Sequence, residues 1–265
     1  MHIRKCKLIK TSETEAEKVI INLSHEKSHS KDVSIMVDAL RASTTVTIAL
    51  DYFKEVIPAF TPEEARELSL KHNAVLAGER KGVKLEGFDI GNSPGEIKEF
   101  ETNKKSMVLT TSNGIMTMEN MQNPKHVLVG GFINAKSVAK AAVELAEEEI
   151  EIVMGGYNHE FAIEDFLAAG EILFYIEKEL KERNMTPKEN DGSNYELKDR
   201  EGFSEYAISA ILASRNLELS NEQVLKSKSG KRLSYLNYSD DVELCMKRNI
   251  TENVGILKDG KIVLY

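Results

Sequence analysis

Residues 33–50 read VSIMVDALRASTTVTIAL. A β-branched apolar run stops at Asp38, and Arg41 with the hydroxyls of Ser43, Thr44 and Thr45 comes before a second apolar run. The same kind of junction recurs along the chain. AVLA (74–77) is followed by Gly78-Glu79-Arg80-Lys81-Gly82, and then by GFDIGNSPGE (87–96), which carries Asp89, Asn92 and Ser93. SMVLT is followed by Thr111-Ser112-Asn113-Gly114, and HVLVGG by Phe132-Ile133-Asn134. EIVMGG is followed by Tyr157-Asn158-His159-Glu160, with Glu164-Asp165 close behind. Ligand sites in open α/β sheets lie beyond the carboxyl ends of the strands, so acids, guanidinium groups and small polar residues are expected to gather at one sheet edge.

Carboxylates in such numbers, with few histidines beside them, suit a hard, oxygen-seeking cation such as Mg2+ rather than zinc. Asp38, Glu79, Asp89, Glu164 and Asp165 are the candidate ligands. Glu164 and Asp165 are neighbours on a helix and are not expected to face one point. Arg41 and Arg80 can grip phosphate, sulfonate or carboxylate in bidentate fashion, or serve only in ion pairs. The segments opening at Ser43-Thr44 and at Ser112-Asn113-Gly114 can present free N–H groups to an anion, or be ordinary caps. His159 can act as an acid or base, or be structural. Cys6 and Cys245 have no zinc-ligand spacing, and Thr251 six residues beyond Cys245 rules out a C-x5-R phosphatase loop; both are read as structural thiols. No P-loop is present, and no G-x-G-x-x-G follows a strand, which argues against a nucleotide cofactor.

These junctions need a scaffold. Short β-rich runs at 33–37, 55–60, 74–77, 106–110, 126–131 and 151–156 alternate with amphipathic stretches, implying a sheet covered by helices on both faces and largely parallel. Thr61-Pro62-Glu63-Glu64 signs a helix start, Asn134 is a plausible cap for 135–149, and 160–183 reads as one long helix with an apolar stripe. Residues 184–202 are polar and rich in turn formers, so a surface excursion is expected there. Two or three helices follow over 203–247, and NVGILKDGKIVLY is expected to be a hairpin turning at Asp259-Gly260. The 265 residues are treated as a single α/β domain, 1–265. The formal charge of −8 disfavours nucleic acid. No apolar run is long enough to span a bilayer and no leader-like core is seen at the N-terminus, so a cytoplasmic protein is expected.

In order, VDALRASTT, LAGERKGVKLEGFDIGNSPGEI, TTSNG, GGFINA and GYNHEFAIEDFLAAG resemble the motifs of the 2-phosphosulfolactate phosphatase family over about residues 38–170. SYLNYSDDVELCMKRN resembles that family's L-x-x-x-G-x-x-x-D-[IV]-x-x-C helix, with Asn237 in place of the usual Gly. Gly131 stands where Ser is often found and Ile115 where Thr is usual. The resemblance implies a three-layer α/β/α sandwich with a mixed, largely parallel sheet. It also implies Mg2+-dependent hydrolysis of (2R)-2-phospho-3-sulfolactate to 3-sulfolactate and phosphate, in coenzyme M biosynthesis. On that basis Asp38, Arg41 and Glu79 are the expected catalytic groups. Ser43, Thr44, Arg80, Asn92, Ser93, Asn113 and Asn134 are expected to bind substrate. Asp38, Glu79, Asp89, Glu164 and Asp165 supply the metal ligands, and the partner is a small anion, with the oligomeric state open and a homodimer among the options. Two alternatives stand beside this: a phosphatase of another small phosphorylated carboxylic acid, and a non-catalytic anion-binding protein on the same scaffold.

Overall fold

The computed structural model describes residues 19–183 and 202–265; apart from Gly202, the polar excursion expected at 184–202 lies outside the described residues. One ten-stranded sheet organises them, in the order β1-β8-β2-β7-β9-β10-β3-β6-β4-β5. Its first half pairs β1 (Ile20–His25), β8 (Glu149–Met154), β2 (Val33–Val37) and β7 (His126–Gly130) in parallel. Its second half pairs β3 (Glu55–Pro58), β6 (Ser106–Thr110) and β4 (Val75–Arg80) in parallel, with the short β5 (Val83–Lys84) antiparallel at the edge. Between them sits the C-terminal hairpin, β9 (Gly255–Lys258) and β10 (Lys261–Leu264), antiparallel to both neighbours. Its turn is Asp259-Gly260, both at positive φ, as a two-residue hairpin connection requires. The expected hairpin is there, but it is the seam of the sheet rather than an appendage. β1 is an additional strand that the apolar pattern of IINLSH did not announce.

Because two strands are inserted, the two parallel halves run in opposite senses within the sheet. Their carboxyl ends nevertheless meet. Five strand-to-strand steps separate β2 from β6, and a twist of roughly 20–25° per step accumulates to about 100–125°. The sheet thus curls around helix α1 (Ala42–Tyr52), which is buried on every side from Ala42 to Leu50. Met36, Val56, Ala77, Leu109, Val129, Val153 and Ile262, drawn from seven strands, share one core with Val46, Ile48 and Leu50 of α1. A helix apolar all round belongs in such an interior, and burying each of its Val, Ile and Leu side chains contributes roughly 1.5–3 kcal/mol. Thr47 Oγ1 donates to Ser43 O at 2.7 Å, whereas Thr44 Oγ1 and Thr45 Oγ1 are buried without a hydrogen-bond partner among the described residues.

Helices α3 (Pro94–Glu99) and α4 (Gly114–Glu119) join α1 on this concave side. The convex side carries α5 (Ala135–Leu145), α6 (Ile163–Glu182) and α7 (Glu205–Ser214) over the first half, packed on Val33, Ile35, Val37, Ile150 and Ile152. Over the second half lies α2 (Pro62–His72), on Ile57, Leu76 and Val108. The result is a three-layer α/β/α arrangement around a mixed, largely parallel sheet. Helix α2 starts as its sequence demands: Thr61 Oγ1 accepts from Glu64 N, and Glu64 Oε2 accepts from Phe60 N. The C-terminal helical region holds α8 (Leu217–Lys226), α9 (Lys228–Tyr235) and α10 (Ser239–Cys245) after α7, one more helix than the two or three expected. Cys245 is buried and burial pushes its thiol up to about 12, in keeping with a structural role. No helix among the described residues is long and apolar enough to cross a membrane.

Candidate active site

Asp38 ends β2 at the point where the curled sheet brings its two halves together. Its Oδ2 accepts from Gly114 N at 2.8 Å and its Oδ1 from Arg41 N at 3.3 Å, while its own N–H donates to Ser43 Oγ at 2.9 Å. The approach of α4 is tight enough to require glycine. A Cβ on Gly114 would lie 2.7 Å from Ala42 Cβ and 2.8 Å from Asp38 Oδ2. Burial, with the negative charges of Glu79 and Glu164 adding to it, raises the Asp38 carboxyl to about 6.

Three further buried acids surround Asp38. Glu79, at the end of β4, accepts from Ser112 N at 2.6 Å through Oε1, and from Gly82 N at 2.6 Å and Ser112 Oγ at 3.2 Å through Oε2. Asp165 reaches back under the β2 and β8 ends, accepting from Ala39 N at 2.7 Å and Gly156 N at 2.9 Å. Burial and then the charges of Asp38 and Glu164 hold its carboxyl well above the usual carboxylate range. Glu164 is only 3% exposed, yet its carboxylate accepts no hydrogen bond from the described residues. Glu164 and Asp165 lie in the first turn of α6 and are both buried, but only Asp165 bonds the β2 and β8 ends; Glu164 shares neither partner, and its charge bears on Asp165 and Asp38.

The basic groups are held close by. Arg41 is buried, with NH1 3.3 Å from Asp241 Oδ2, NH2 3.0 Å from Gly82 O, and its plane 4.6 Å above the Tyr238 ring. Arg80 donates to Glu79 O at 2.7 Å, Thr110 Oγ1 at 3.0 Å and Phe60 O at 3.4 Å, bracing the β4, β6 and β3 ends. Ser93 caps α3 by accepting from Glu96 N, and its hydroxyl donates to Asp241 Oδ1 at 2.8 Å. Asn92 is buried beside it, with no hydrogen-bond partner for Oδ1 among the described residues. Next to Asp38, beyond the β6 and β8 ends, opens a cleft of about 290 Å3 lined by Ser112, Asn113, Thr117, Gly155, Asn158 and His159. At its rim His159 Nδ1 lies 2.8 Å from Glu26 Oε1.

Several expected site residues are placed elsewhere. Asp89 is exposed near the start of β4, where it accepts from Leu76 N at 2.9 Å and lies 3.8 Å from Lys104 Nζ. Asn134 neither caps α5 nor faces the cleft. Fully buried, it accepts from Gly131 N and donates to Val129 O and Asn253 O, tying β7 to the C-terminal segment. The hydroxyls of Ser43, Thr44 and Thr45 are buried in the core rather than lining a surface; Ser43 supports Asp38 from behind. The N-terminus of α4 meets the Asp38 carboxylate, so an internal acid stands where an external anion was expected. Asp241 was missed as a site residue, although the D-[IV]-x-x-C pattern around it was visible. Nothing local in SDDVELC reveals a partner 200 residues upstream.

Buried acids with arginines around them are compatible with the handling of an anion, and the comparisons with known proteins give the chain a family. A family model described as 2-phosphosulpholactate phosphatase matches residues 19–260. A 2-phosphosulfolactate phosphatase of Methanothermobacter thermautotrophicus is 43% identical over 244 residues, covering 92% of this chain and 95% of that protein. One from Methanocaldococcus jannaschii is 34% identical over 237 residues, covering 87% and 91%. A probable 2-phosphosulfolactate phosphatase of Clostridium acetobutylicum is 32% identical over 248 residues, covering 91% and 96%. Spanning nearly all of the described residues, from β1 to the turn of the seam hairpin, these matches establish that the chain belongs to the 2-phosphosulfolactate phosphatase family.

Proposed function

We propose that the protein is a Mg2+-dependent phosphatase that hydrolyses (2R)-2-phospho-3-sulfolactate to 3-sulfolactate and phosphate, a step of coenzyme M biosynthesis. The observation that carries this reading is the placing of four buried acids, Asp38, Glu79, Glu164 and Asp165, within reach of one another's charge, in a chain whose relatives are named 2-phosphosulfolactate phosphatase. Four acids there repel one another, and a cation relieves that repulsion. Among the described residues no three such groups are set to hold a metal alone. That pattern suits Mg2+, which is commonly held by one or two carboxylates with water and phosphate oxygens completing the shell. Glu164, buried without a hydrogen bond, and Asp38 would hold it. Bound there, it would offset the negative charge of the phosphoryl oxygens.

The chain's own groups divide the remaining work. Gly114 N and Arg41 N fix the Asp38 carboxylate in orientation. Arg41, two of whose N–H groups are held by Asp241 and Gly82, would meet the anion with what remains of its fork. The cleft beside Asp38 offers Ser112, Asn113 and Asn158 to the organic part of the substrate.

The test is phosphate release from 2-phosphosulfolactate with Mg2+ and with EDTA, beside phospholactate and 2-phosphoglycolate. Fast, EDTA-sensitive release selective for the sulfonated substrate is expected. Release only from the other two would keep the phosphatase and discard the coenzyme M assignment. Ligand binding without release from any would leave an anion-binding protein.

A further inference from the structure

We infer that Asp241 is a positioning residue for this reaction, acting on the substrate through Arg41. The inference rests on the proposed function and assigns a role to the C-terminal helices that the acid cluster alone does not use.

Three observations carry it. Asp241 is itself buried, 4% exposed, and all its contacts are specific: Oδ2 to Arg41 NH1 at 3.3 Å, and Oδ1 to Ser93 Oγ at 2.8 Å and Gly95 N at 3.3 Å. Burying a carboxylate is costly unless it is paired and hydrogen-bonded. Here the pairing fixes a guanidinium whose other end is bonded to Gly82 O. The N–H of the same Gly82 holds Glu79 Oε2, and Glu79 in turn holds Ser112. One hydrogen-bonded chain therefore runs from α10 through Arg41 and the 81–82 turn to an acid of the cluster and the wall of the cleft. The turn is pinned from outside as well, since Arg232 of α9 donates to Lys81 O. Tyr238, between α9 and α10, closes the remaining face of the Arg41 plane. Without Asp241, Arg41 keeps its place in sequence but loses the partner that sets the angle of its free donors.

The test is a double-mutant cycle in kcat/KM with Asp241→Asn, Arg41→Ala and the pair together, the fold being checked by circular dichroism and Tm. Misplacing a binding group by about 1 Å can cost on the order of 100-fold, so Asp241→Asn is expected to lower kcat/KM by roughly 10- to 100-fold. If it acts through Arg41, the double variant will be no worse than Arg41→Ala alone. Asp241→Glu is expected to restore part of the loss. Losses that multiply in the double variant would overturn the inference, leaving Asp241 a structural residue of α10. So would an Asp241→Asn variant as active as wild type. The same cycle is run on the Kd for inorganic phosphate measured by calorimetry. Should the wild type turn over none of the phosphorylated acids, the proposed function fails, while non-additive losses in phosphate affinity would still support the coupling and additive ones would reject it.

Discussion

Asp38 is the residue on which charge, burial and geometry converge. Its carboxyl is raised from 3.8 to about 6 chiefly by burial. Between those two values the folded protein holds a proton that the unfolded chain has released, so this group's contribution to stability falls as pH rises from about 4 to 6. At pH 7 the ionised carboxylate is a liability to the metal-free fold. Asp38→Asn is therefore expected to stabilise the metal-free protein by on the order of 1–3 kcal/mol, seen as a raised Tm in EDTA, while lowering kcat/KM by roughly 100-fold or more. A Tm that falls would show that the lost acceptor for Gly114 or Arg41 outweighs the relieved charge. The same group predicts that the apparent affinity for Mg2+ rises with pH through the region near 6, as the metal-free Asp38 ionises, and that kcat/KM at sub-saturating Mg2+ follows it. A profile flat from pH 5 to 8 would detach Asp38 from the rate.

At the scale of the elements, close approach decides more than propensity. Helix α4 can deliver Gly114 N to Asp38 only because no Cβ stands between it and Ala42. Gly114→Ala should push α4 away from α1, costing about 1–3 kcal/mol by overpacking and misaligning Asp38. Urea unfolding and kcat/KM would report the two effects separately. Asn237, where the motif resemblance leads one to expect glycine, sits at φ 63, directly after the turn that ends α9. The left-handed region tolerates asparagine better than any residue with a larger or branched side chain. Asn237→Ala is expected to destabilise by about 1 kcal/mol and Asn237→Gly to be neutral or slightly stabilising, with Tm as the measurement; equal shifts for both would sink this account.

The molecule as a whole is joined by its last dozen residues. The β9–β10 hairpin separates two parallel half-sheets and is hydrogen-bonded to both, and Ile262 lies fully buried opposite Val56 and Leu257. The halves are thus expected to unfold together. Ile262→Ala should cost about 2–5 kcal/mol and leave a single transition, coincident by circular dichroism and by tyrosine fluorescence. Two separated transitions would show that the halves are independent and the seam passive. The seam also makes the site possible: it reverses the second half-sheet, and the accumulated twist then turns the β4 and β6 ends back toward β2.

Local pattern was enough to reveal most elements and the chemistry they carry. The β2 and β6 runs, the capped start of α2, the Asp259-Gly260 hairpin and the junction acids were legible because each depends on side-chain period, capping or turn chemistry within a few residues. The motif resemblance pointed to the family, and the comparisons bore it out. What the sequence could not decide was which junction residues meet. Asp89 and Glu79 both read as junction acids, yet Asp89 stays exposed while bonding the start of β4 and Glu79 is buried at the centre. Asn134 reads as a polar group at a sheet edge but is consumed by three backbone contacts in the core. Asp241 lies far from every other junction and still closes on Arg41. These outcomes depend on strand order, twist and the placement of the C-terminal hairpin. All three are set by contacts between segments distant in the chain, whose closure no local stretch of residues encodes.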